Sequence, residues 1–350
     1  MNYIPFLKFK VNEVGAIKEL SKPLKENLTP FFDLPRRDDL DESKLIKMIN
    51  LLHRKYEINL KDVAALYIDN FDIDDTIKIY GKHNYYYLLN KFGPINLIPV
   101  VGIDRSYEHN QAVFDYARFS SISTVAIRIT NEYLDYSIYA QDIEDLIQNC
   151  LKSYKYIHLI IDNRICLNVD INHRAREVSD FIDNINNRYI LSKIIVTGSS
   201  IPASIRDLLI PGYSNDFQRA EIDLYRIVKK KHSSIFLGDY TVVSPNYSDV
   251  QLERELLRKV TAPKLFYAYQ DKMYIARGHA LETHPRGNKQ YNDLCAIVVG
   301  KSFYRTPLKS FGDKYLHEKA NNIGKDPTPS TIPKPLVNLH ITYMLTDFVF

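Results

Sequence analysis

The chain has 350 residues, of which 45% are apolar and 25% are charged, which is the balance of a soluble globular protein. Its net charge of +4 is too small to indicate nucleic-acid binding, no apolar run reaches the ~18 residues that span a membrane, and the first residues lack the pattern of a signal peptide. Three scattered cysteines, Cys150, Cys166 and Cys295, predict reduced thiols in a cytoplasmic protein rather than disulfides or a zinc site.

Short apolar runs alternate with amphipathic stretches, roughly 30 residues apart, from Tyr3 to about Pro245. Strands are predicted at residues 3–10, 29–34, 63–68, 96–103, 124–129, 156–161, 193–197 and 234–237. Helices are predicted between them at residues 11–27, 42–56, 83–91, 108–120, 140–154, 173–189 and 217–231, with Asp41 as the N-cap of the second. About eight βα units in series predict an α/β fold, a (β/α)8 TIM-like barrel over residues 1–250, although an open doubly wound sheet would also show this alternation.

The alternation ends after Pro245, and the rest of the chain predicts a C-terminal α+β extension over residues 251–350. A hairpin is predicted at residues 264–276, followed by helices at 290–299 and 312–321. A proline-rich loop at 326–335 leads to a terminal segment, 336–350, whose pattern fits either a strand or a helix. We expect this extension to pack on the barrel.

Acidic residues recur where the predicted strands end, at Asp33, Asp69, Asp104, Asp162 and Asp239. Because the carboxyl ends of barrel strands converge on one mouth, several of these carboxylates could lie together there. Such a group could bind a divalent cation or act as a general acid and base. The catalytic candidates are Asp33, Asp69, Asp162 and Asp239. The alternative is that these residues cap helices or form turns.

Two cations lie within predicted strands: Arg128 is flanked by isoleucines, and Lys10 ends the first strand. A buried cation needs a carboxylate or a phosphate partner, so a structural ion pair and a ligand contact both remain open. Gly198-Ser199-Ser200 follows a buried strand, and its backbone N–H groups could hold an anion. A tight turn explains these small residues equally well.

A series of short motifs runs through the chain in a characteristic order. They are YIPFLKFK (3–10), VTGSSIP (196–202), RAE (219–221), GDY (238–240), RG (277–278), QYNDLC (290–295), SFGD (310–313) and NLHIT (338–342). In their order and spacing the chain resembles the Beta proteins of phages, phage satellites and bacterial genomes, nearly from end to end. It departs from them at Phe311, where tryptophan is usual, and at His340, which stands alone where many members have two adjacent histidines.

The resemblance implies a mobile-element setting and a part in anti-phage defence, often beside a partner gene, but no established reaction. It adds Tyr240 and Arg277 to the candidate ligand-binding residues, which otherwise are Lys10, Arg128, Gly198, Ser199 and Ser200. Because the motifs fall at strand ends and in the extension, it also suggests that the extension folds over the barrel mouth.

Two functions are consistent with these observations. The first is a cytoplasmic sensor or regulatory partner, which binds a co-encoded effector or a phage protein and has a polar ligand-binding mouth. The second is a hydrolase of the phosphodiesterase or nuclease type, in which the mouth carboxylates, alone or with a divalent cation, act on a phosphorylated or nucleotide ligand. Binding to nucleic acid or to a membrane is not expected, and the sequence leaves open whether the protein is an oligomer.

Overall fold

The computed structural model describes residues 3–93, 96–247 and 261–350. Its strands, numbered along the chain, are β1 (Ile4–Lys8), β2 (Phe31–Asp33), β3 (Leu66–Asp69), β4 (Lys78–Ile79), β5 (Lys82–His83), β6 (Leu97–Val101), β7 (Thr124–Thr130), β8 (Tyr156–Ile165), β9 (Lys193–Ser199), β10 (Ser214–Gln218), β11 (Phe236–Asp239), β12 (Lys264–Tyr269) and β13 (Lys272–Arg277). Its α-helices are α1 (Val11–Lys18), α2 (Lys22–Glu26), α3 (Glu42–Asn59), α4 (Asn84–Phe92), α5 (Tyr107–Ala117), α6 (Tyr136–Ser153), α7 (Ile171–Asn186), α8 (Ala220–Lys231), α9 (Gln290–Val299), α10 (Phe311–Ala320) and α11 (Pro333–Thr346).

Eight parallel strands close into a barrel in the order β1, β2, β3, β6, β7, β8, β9 and β11, and β11 pairs back with β1. The predicted (β/α)8 barrel is therefore confirmed, and the open doubly wound sheet is excluded. Alternate residues of each strand point into the barrel, where Phe6, Phe31 and Tyr67 stack on one another. The intervening residues face the surrounding helices, which is why these strands are apolar on both faces.

The helices begin and end where local chemistry dictates. Asp41 caps α3 as predicted, because its side chain accepts a hydrogen bond from the amide of Lys44. The helix predicted over residues 11–27 is split into α1 and α2. Pro23 lies in the first turn of α2, where its missing N–H group leaves no helical hydrogen bond unmade.

The predicted hairpin of the extension is confirmed as β12 and β13, but it belongs to a larger sheet. Strand β10 pairs antiparallel with β13, with Ser214 opposite Ala276. The prediction of a helix over residues 217–231 was wrong at its start, because Phe217 and Gln218 belong to β10 and α8 begins only at Ala220. The partner of β10 lies more than 50 residues further along the chain, so no local pattern revealed this strand.

The terminal segment is the helix α11, which packs outside the barrel against α1. Asn338 on α11 donates a hydrogen bond to the carbonyl of Ala16 on α1, and His340 bonds to Asp239 at the end of β11. The extension thus completes the outer ring of the barrel. The boundary predicted between residues 250 and 251 lies outside the described residues. Within the described ranges, the structure contains no helix that is both long and apolar enough to span a membrane.

Candidate functional site

A ring of charged side chains continues the inward face of the barrel toward the carboxyl ends of its strands. On five strands an inward apolar residue is followed, two positions later, by a charged one. These pairs are Phe6 and Lys8, Phe31 and Asp33, Tyr67 and Asp69, and Ile160 and Asp162; Arg128 follows Ala126 in the same way. The structure therefore brings together three of the four predicted catalytic carboxylates, together with Arg128.

Arg128 stands at the centre of this ring and is fully buried. Its Nη1 donates to Asp33 at 2.8 Å and to Asp69 at 2.9 Å. Its Nε and Nη2 both donate to Asp162, at 3.1 and 2.7 Å, and Nη2 also donates to the Tyr240 hydroxyl at 2.9 Å. A guanidinium group has five N–H donors, so every donor of Arg128 is used within the protein.

Three further cations surround the carboxylates. Lys8 forms ion pairs with Asp33 at 3.4 Å and with Asp72 at 2.5 Å. The other two are Arg105, which pairs with Asp69 at 2.9 Å and with Asp104 at 2.8 Å, and Arg164, whose guanidinium lies 3.9 Å from Asp162. The predicted carboxylates thus each have internal cationic partners.

Phe71 lies over this network on the loop after β3. Its ring centroid is 4.4 Å from the guanidinium of Arg105, 4.6 Å from that of Arg128 and 4.8 Å from that of Arg164. Cation–π contact stabilises guanidinium groups that are removed from water. Arg164 has a φ of +52° and follows Asp162 at a bulge in β8, and its amide donates to the Asp162 carboxylate. The mouth is therefore closed by a packed ionic cluster.

The pKa values within the cluster follow from burial and from these charges. Burial opposes ionisation of Asp33, but Arg128 and Lys8 outweigh it and lower the pKa of Asp33 to about 2. Burial likewise opposes the charge on Asp69, and Arg105 and Arg128 lower its pKa. Burial and the neighbouring Asp33 raise the pKa of Asp72. The lowered pKa values of Asp33 and Asp69 indicate that these two partners of Arg128 are ionised.

The carboxylates of the mouth do not fit a divalent cation. Such an ion needs several oxygens that converge on an open position, whereas the oxygens of Asp33, Asp69 and Asp162 converge on the Arg128 nitrogens. No group of three or more histidine, cysteine, aspartate or glutamate side chains has metal-binding geometry in the described part of the chain.

Asp239 was expected to join the mouth carboxylates, but it lies in a separate buried cluster outside the barrel. Ile4 is paired with Gly238, so Gly238 and Tyr240 face inward and Asp239 faces the helices. The Asp239 carboxylate accepts hydrogen bonds from the Tyr3 hydroxyl at 2.6 Å and from Arg219 at 2.6 Å.

His340 completes this second cluster, with its Nε2 3.1 Å from both carboxylate oxygens of Asp239. Burial opposes the charge on Asp239, but His340 and Arg219 lower its pKa. The cluster thus connects β1, β11, the start of α8 and the terminal helix α11.

Gly198-Ser199-Ser200 makes contacts within the fold and does not form an open anion site. The Ser200 hydroxyl donates to Glu221 at 2.5 Å and accepts from the amide of Ala220, so it fixes the start of α8. A side chain on Gly198 would place Cβ only 2.6 Å from the Cys166 sulfur. The cavity beside these residues measures about 10 Å³, which is scarcely the space of one water molecule.

The remaining predicted residues, Lys10 and Arg277, lie away from Arg128. Lys10 is exposed and precedes α1, since β1 ends at Lys8, so it is Lys8 that enters the mouth cluster. Arg277 is buried at the end of β13 and donates a hydrogen bond to the Leu209 carbonyl. The predicted ligand-binding residues therefore do not form one site.

A larger cleft of about 360 Å³ lies between the barrel loops and the extension. Its walls combine the segments after β1, β9 and β11 with the start of β12 and the start of α11, and they include Ile201, Val243, Phe266, Ile332 and Leu336. The volume is near the lower end of the range for small-molecule sites. The extension therefore borders a cleft beside the mouth, and its folding over the mouth itself stays a prediction.

Glu13 on α1 lines this cleft and was missed by the sequence reasoning. It is only 5% exposed, and its Oε2 has no hydrogen-bond partner among the described residues. Burial raises the pKa of Glu13 to about 7, although its own amide, Lys10 and Lys8 oppose this. A buried carboxyl group with such a pKa marks a candidate site. In the sequence, Glu13 is indistinguishable from an ordinary acidic residue in a first helical turn.

Replacing Glu13 with glutamine is expected to raise the free energy of unfolding at pH 8 by on the order of 3 kcal/mol. The folded state holds the Glu13 proton up to about pH 7, whereas the unfolded chain releases it near 4.5, so the wild type loses stability between these values. Urea unfolding at pH 4.5 and pH 8 measures the effect, with exposed Glu26→Gln as the control. An equal gain at both pH values would contradict the raised pKa.

The family-like motifs occupy structural contacts that join the extension to the barrel. Ser310 caps α10 by accepting from the amide of Asp313, and Asp313 accepts from the Tyr267 hydroxyl. Gly312 lies where a Cβ would be 2.2 Å from the Pro335 carbonyl, so only glycine allows α10 to approach α11 this closely. Phe311, which replaces the usual tryptophan, packs beside Tyr315.

The fold and the site together define a (β/α)8 barrel whose mouth is filled by an internal ion network and whose outer ring is completed by the terminal helix. The Beta protein family model matches residues 3–346, and the chain belongs to this family. No curated protein matches the chain significantly. Among solved structures, the chain is similar to the apo form of 3-keto-D-glucoside 4-epimerase, YcjR, from E. coli, with 12% identity and a TM-score of 0.37 over 71% of this chain and 94% of that one.

Proposed function

We propose that this chain is a sensor or regulatory component of a mobile-element-encoded anti-phage defence system, acting in the cytoplasm beside a co-encoded effector. The setting comes from the family resemblance. The choice of a binding role over a hydrolytic one rests on the mouth of the barrel.

The preference for a binding role rests on one observation, which is that every hydrogen-bond donor of Arg128 is already used within the protein. Its five donors are taken by Asp33, Asp69, Asp162 and Tyr240, and the three aspartates are at most 1% exposed. A hydrolase would need one of these carboxylates to reach a water molecule or a leaving group. A phosphate ligand would likewise need a free donor on Arg128. The network therefore supports a structural role for the mouth.

Phage plating on cells that carry the native locus tests the proposal. We expect the wild type and Asp162→Asn to protect the cells equally, once immunoblots show equal protein levels. Deletion of the neighbouring gene should abolish protection, because a regulatory component acts through its effector. Tyr240→Phe is a milder companion variant, since it removes one hydroxyl and leaves all three carboxylates in place.

The hydrolase alternative predicts the opposite pattern. Under that mechanism Asp162→Asn would abolish protection at normal protein levels, and loss of the neighbouring gene would leave protection intact. That result would overturn the regulatory proposal and return the mouth carboxylates to a catalytic role.

A further inference from the structure

The cleft between the barrel and the extension holds polar groups that its own walls do not satisfy. Glu13 lines the cleft, and its buried Oε2 has no hydrogen-bond partner in the part of the chain that the structure describes. At the rim lie Lys10 and Lys264, whose ammonium groups have no hydrogen-bond or ion-pair partner among the described residues. An unpartnered buried oxygen costs free energy unless another molecule supplies its hydrogen bond.

The two rim lysines bring positive charge to the cleft. Lys264 pairs across the hairpin with Arg277, so two cations lie side by side on adjacent strands. Partial desolvation and the charges of Arg277 and Arg206 lower the pKa of Lys264. Lys8 also borders the cleft, but Asp33 and Asp72 already compensate its charge. A bound anion would relieve the repulsion at Lys264.

The cleft also has apolar walls, which include Ile201, Val243, Phe266, Ile332 and Leu336. These side chains come from both the barrel and the extension, so a molecule that filled the cleft would contact both parts at once. Its volume of about 360 Å³ admits one small organic molecule.

We infer that this cleft binds a small organic anion, whose apolar body lies against these walls, whose charged group meets Lys10 and Lys264, and whose hydrogen-bonding group meets Glu13. This inference rests on the proposed function, since it assigns the ligand of a sensor. A phosphate group on a nucleotide and a carboxylate on an acyl chain share this chemistry.

Fluorescence titration of the full chain with 1-anilinonaphthalene-8-sulfonate, an apolar aromatic anion, tests the inference. We expect saturable binding with one site per chain. The neutral analogue N-phenyl-1-naphthylamine lacks the sulfonate and should bind more weakly. Displacement of the anionic probe by AMP would identify a nucleotide source, and displacement by octanoate would identify an acyl carboxylate.

Matched variants locate the site. Ala203→Trp places a large ring in the cleft from an exposed loop position and should abolish binding, whereas Ala64→Trp, at an exposed position outside it, should not. The pair Lys10→Met/Lys264→Met should weaken binding of the anionic probe about tenfold while leaving the neutral probe unaffected. Lys61→Met/Lys325→Met removes the same charge at exposed positions elsewhere and is the control.

The absence of saturable binding, or binding that survives Ala203→Trp and ignores the rim lysines, would overturn the inference. Circular dichroism of each variant separates loss of the cleft from loss of the fold. If the probe fails to bind while protection still depends on the neighbouring gene, the cleft inference fails alone. If the probe binds in the cleft but protection does not depend on that gene, the proposed function fails alone.

Discussion

Replacing Arg128 with methionine is expected to lower the free energy of unfolding by about 3–5 kcal/mol at pH 7. Methionine fills much of the arginine volume but leaves buried carboxylates without their central cation. Asp33 retains Lys8 and Asp69 retains Arg105, each within 3.4 Å. Asp162 suffers most, because its remaining cation, Arg164, is 3.9 Å away. Chemical denaturation at pH 7 measures the loss.

A second substitution separates loss of charge pairing from loss of packing. Arg128→Met/Asp162→Asn should recover part of the stability, because the amide removes the least compensated charge. The loss in the free energy of unfolding that Arg128→Met causes should also become smaller as the pH falls from 7 to 5, since an unpaired buried carboxyl group binds a proton more readily. Arg118→Met, whose side chain is 73% exposed, is the control and should change stability by less than about 1 kcal/mol. No recovery in the double variant would contradict the ionic explanation.

Replacing Asp239 with asparagine is expected to cost about 3 kcal/mol and to loosen α11 from the barrel. Asp239 accepts hydrogen bonds from Tyr3 and Arg219 and pairs with His340. Asparagine has the same shape but only one acceptor oxygen, and its amide nitrogen would face donors. Since His340 lies in the middle of α11, the loss is transmitted directly to the helix that closes the outer ring.

Hydrogen exchange of the amides of residues 333–346, together with thermal unfolding, measures both effects. The lowered pKa of Asp239 means that its contribution is fully present above its unfolded pKa and is lost as the pH falls toward the folded pKa, so the difference between wild type and variant should begin to narrow below about pH 4. Asp180→Asn, at a side chain that is 72% exposed, is the matched control. Exchange in α11 that stays at the wild-type rate would show that the Asp239 cluster does not hold the helix.

The two clusters have a common consequence for function. The mouth of a barrel is where chemistry is found in this fold, yet here its aspartates are paired with an internal cation. The second cluster joins the extension to the barrel wall instead of exposing Asp239. Space for a ligand remains in the cleft at the seam between barrel and extension, where Glu13 and two lysines have no partner within residues 3–93, 96–247 and 261–350. Binding at such a seam would change how firmly the two parts are held together, which suits a sensor.

The sites of the mouth cluster were partly predictable from the sequence. Asp33, Asp69 and Asp162 were recognised because each ends an apolar run, and Arg128 because a cation between isoleucines needs a partner. The choice of Lys10 over Lys8 was an error in where the first strand ends, since inward-facing residues of β1 alternate as Ile4, Phe6 and Lys8, and Lys10 lies beyond the strand. The same alternation, applied to Gly238 and Tyr240, would have placed Asp239 outside the barrel.

Sequence by itself determined the class of fold, because the alternation of buried strands and amphipathic helices is a local property of hydrophobic burial. It also determined local caps such as Asp41, whose partner is only three residues away. Only the tertiary structure decided what the charged residues do, because Arg128 meets Asp33 across 95 residues and Asp239 meets His340 across 101. Such contacts depend on the register in which eight strands close and on where the last helix packs, and no local pattern specifies either.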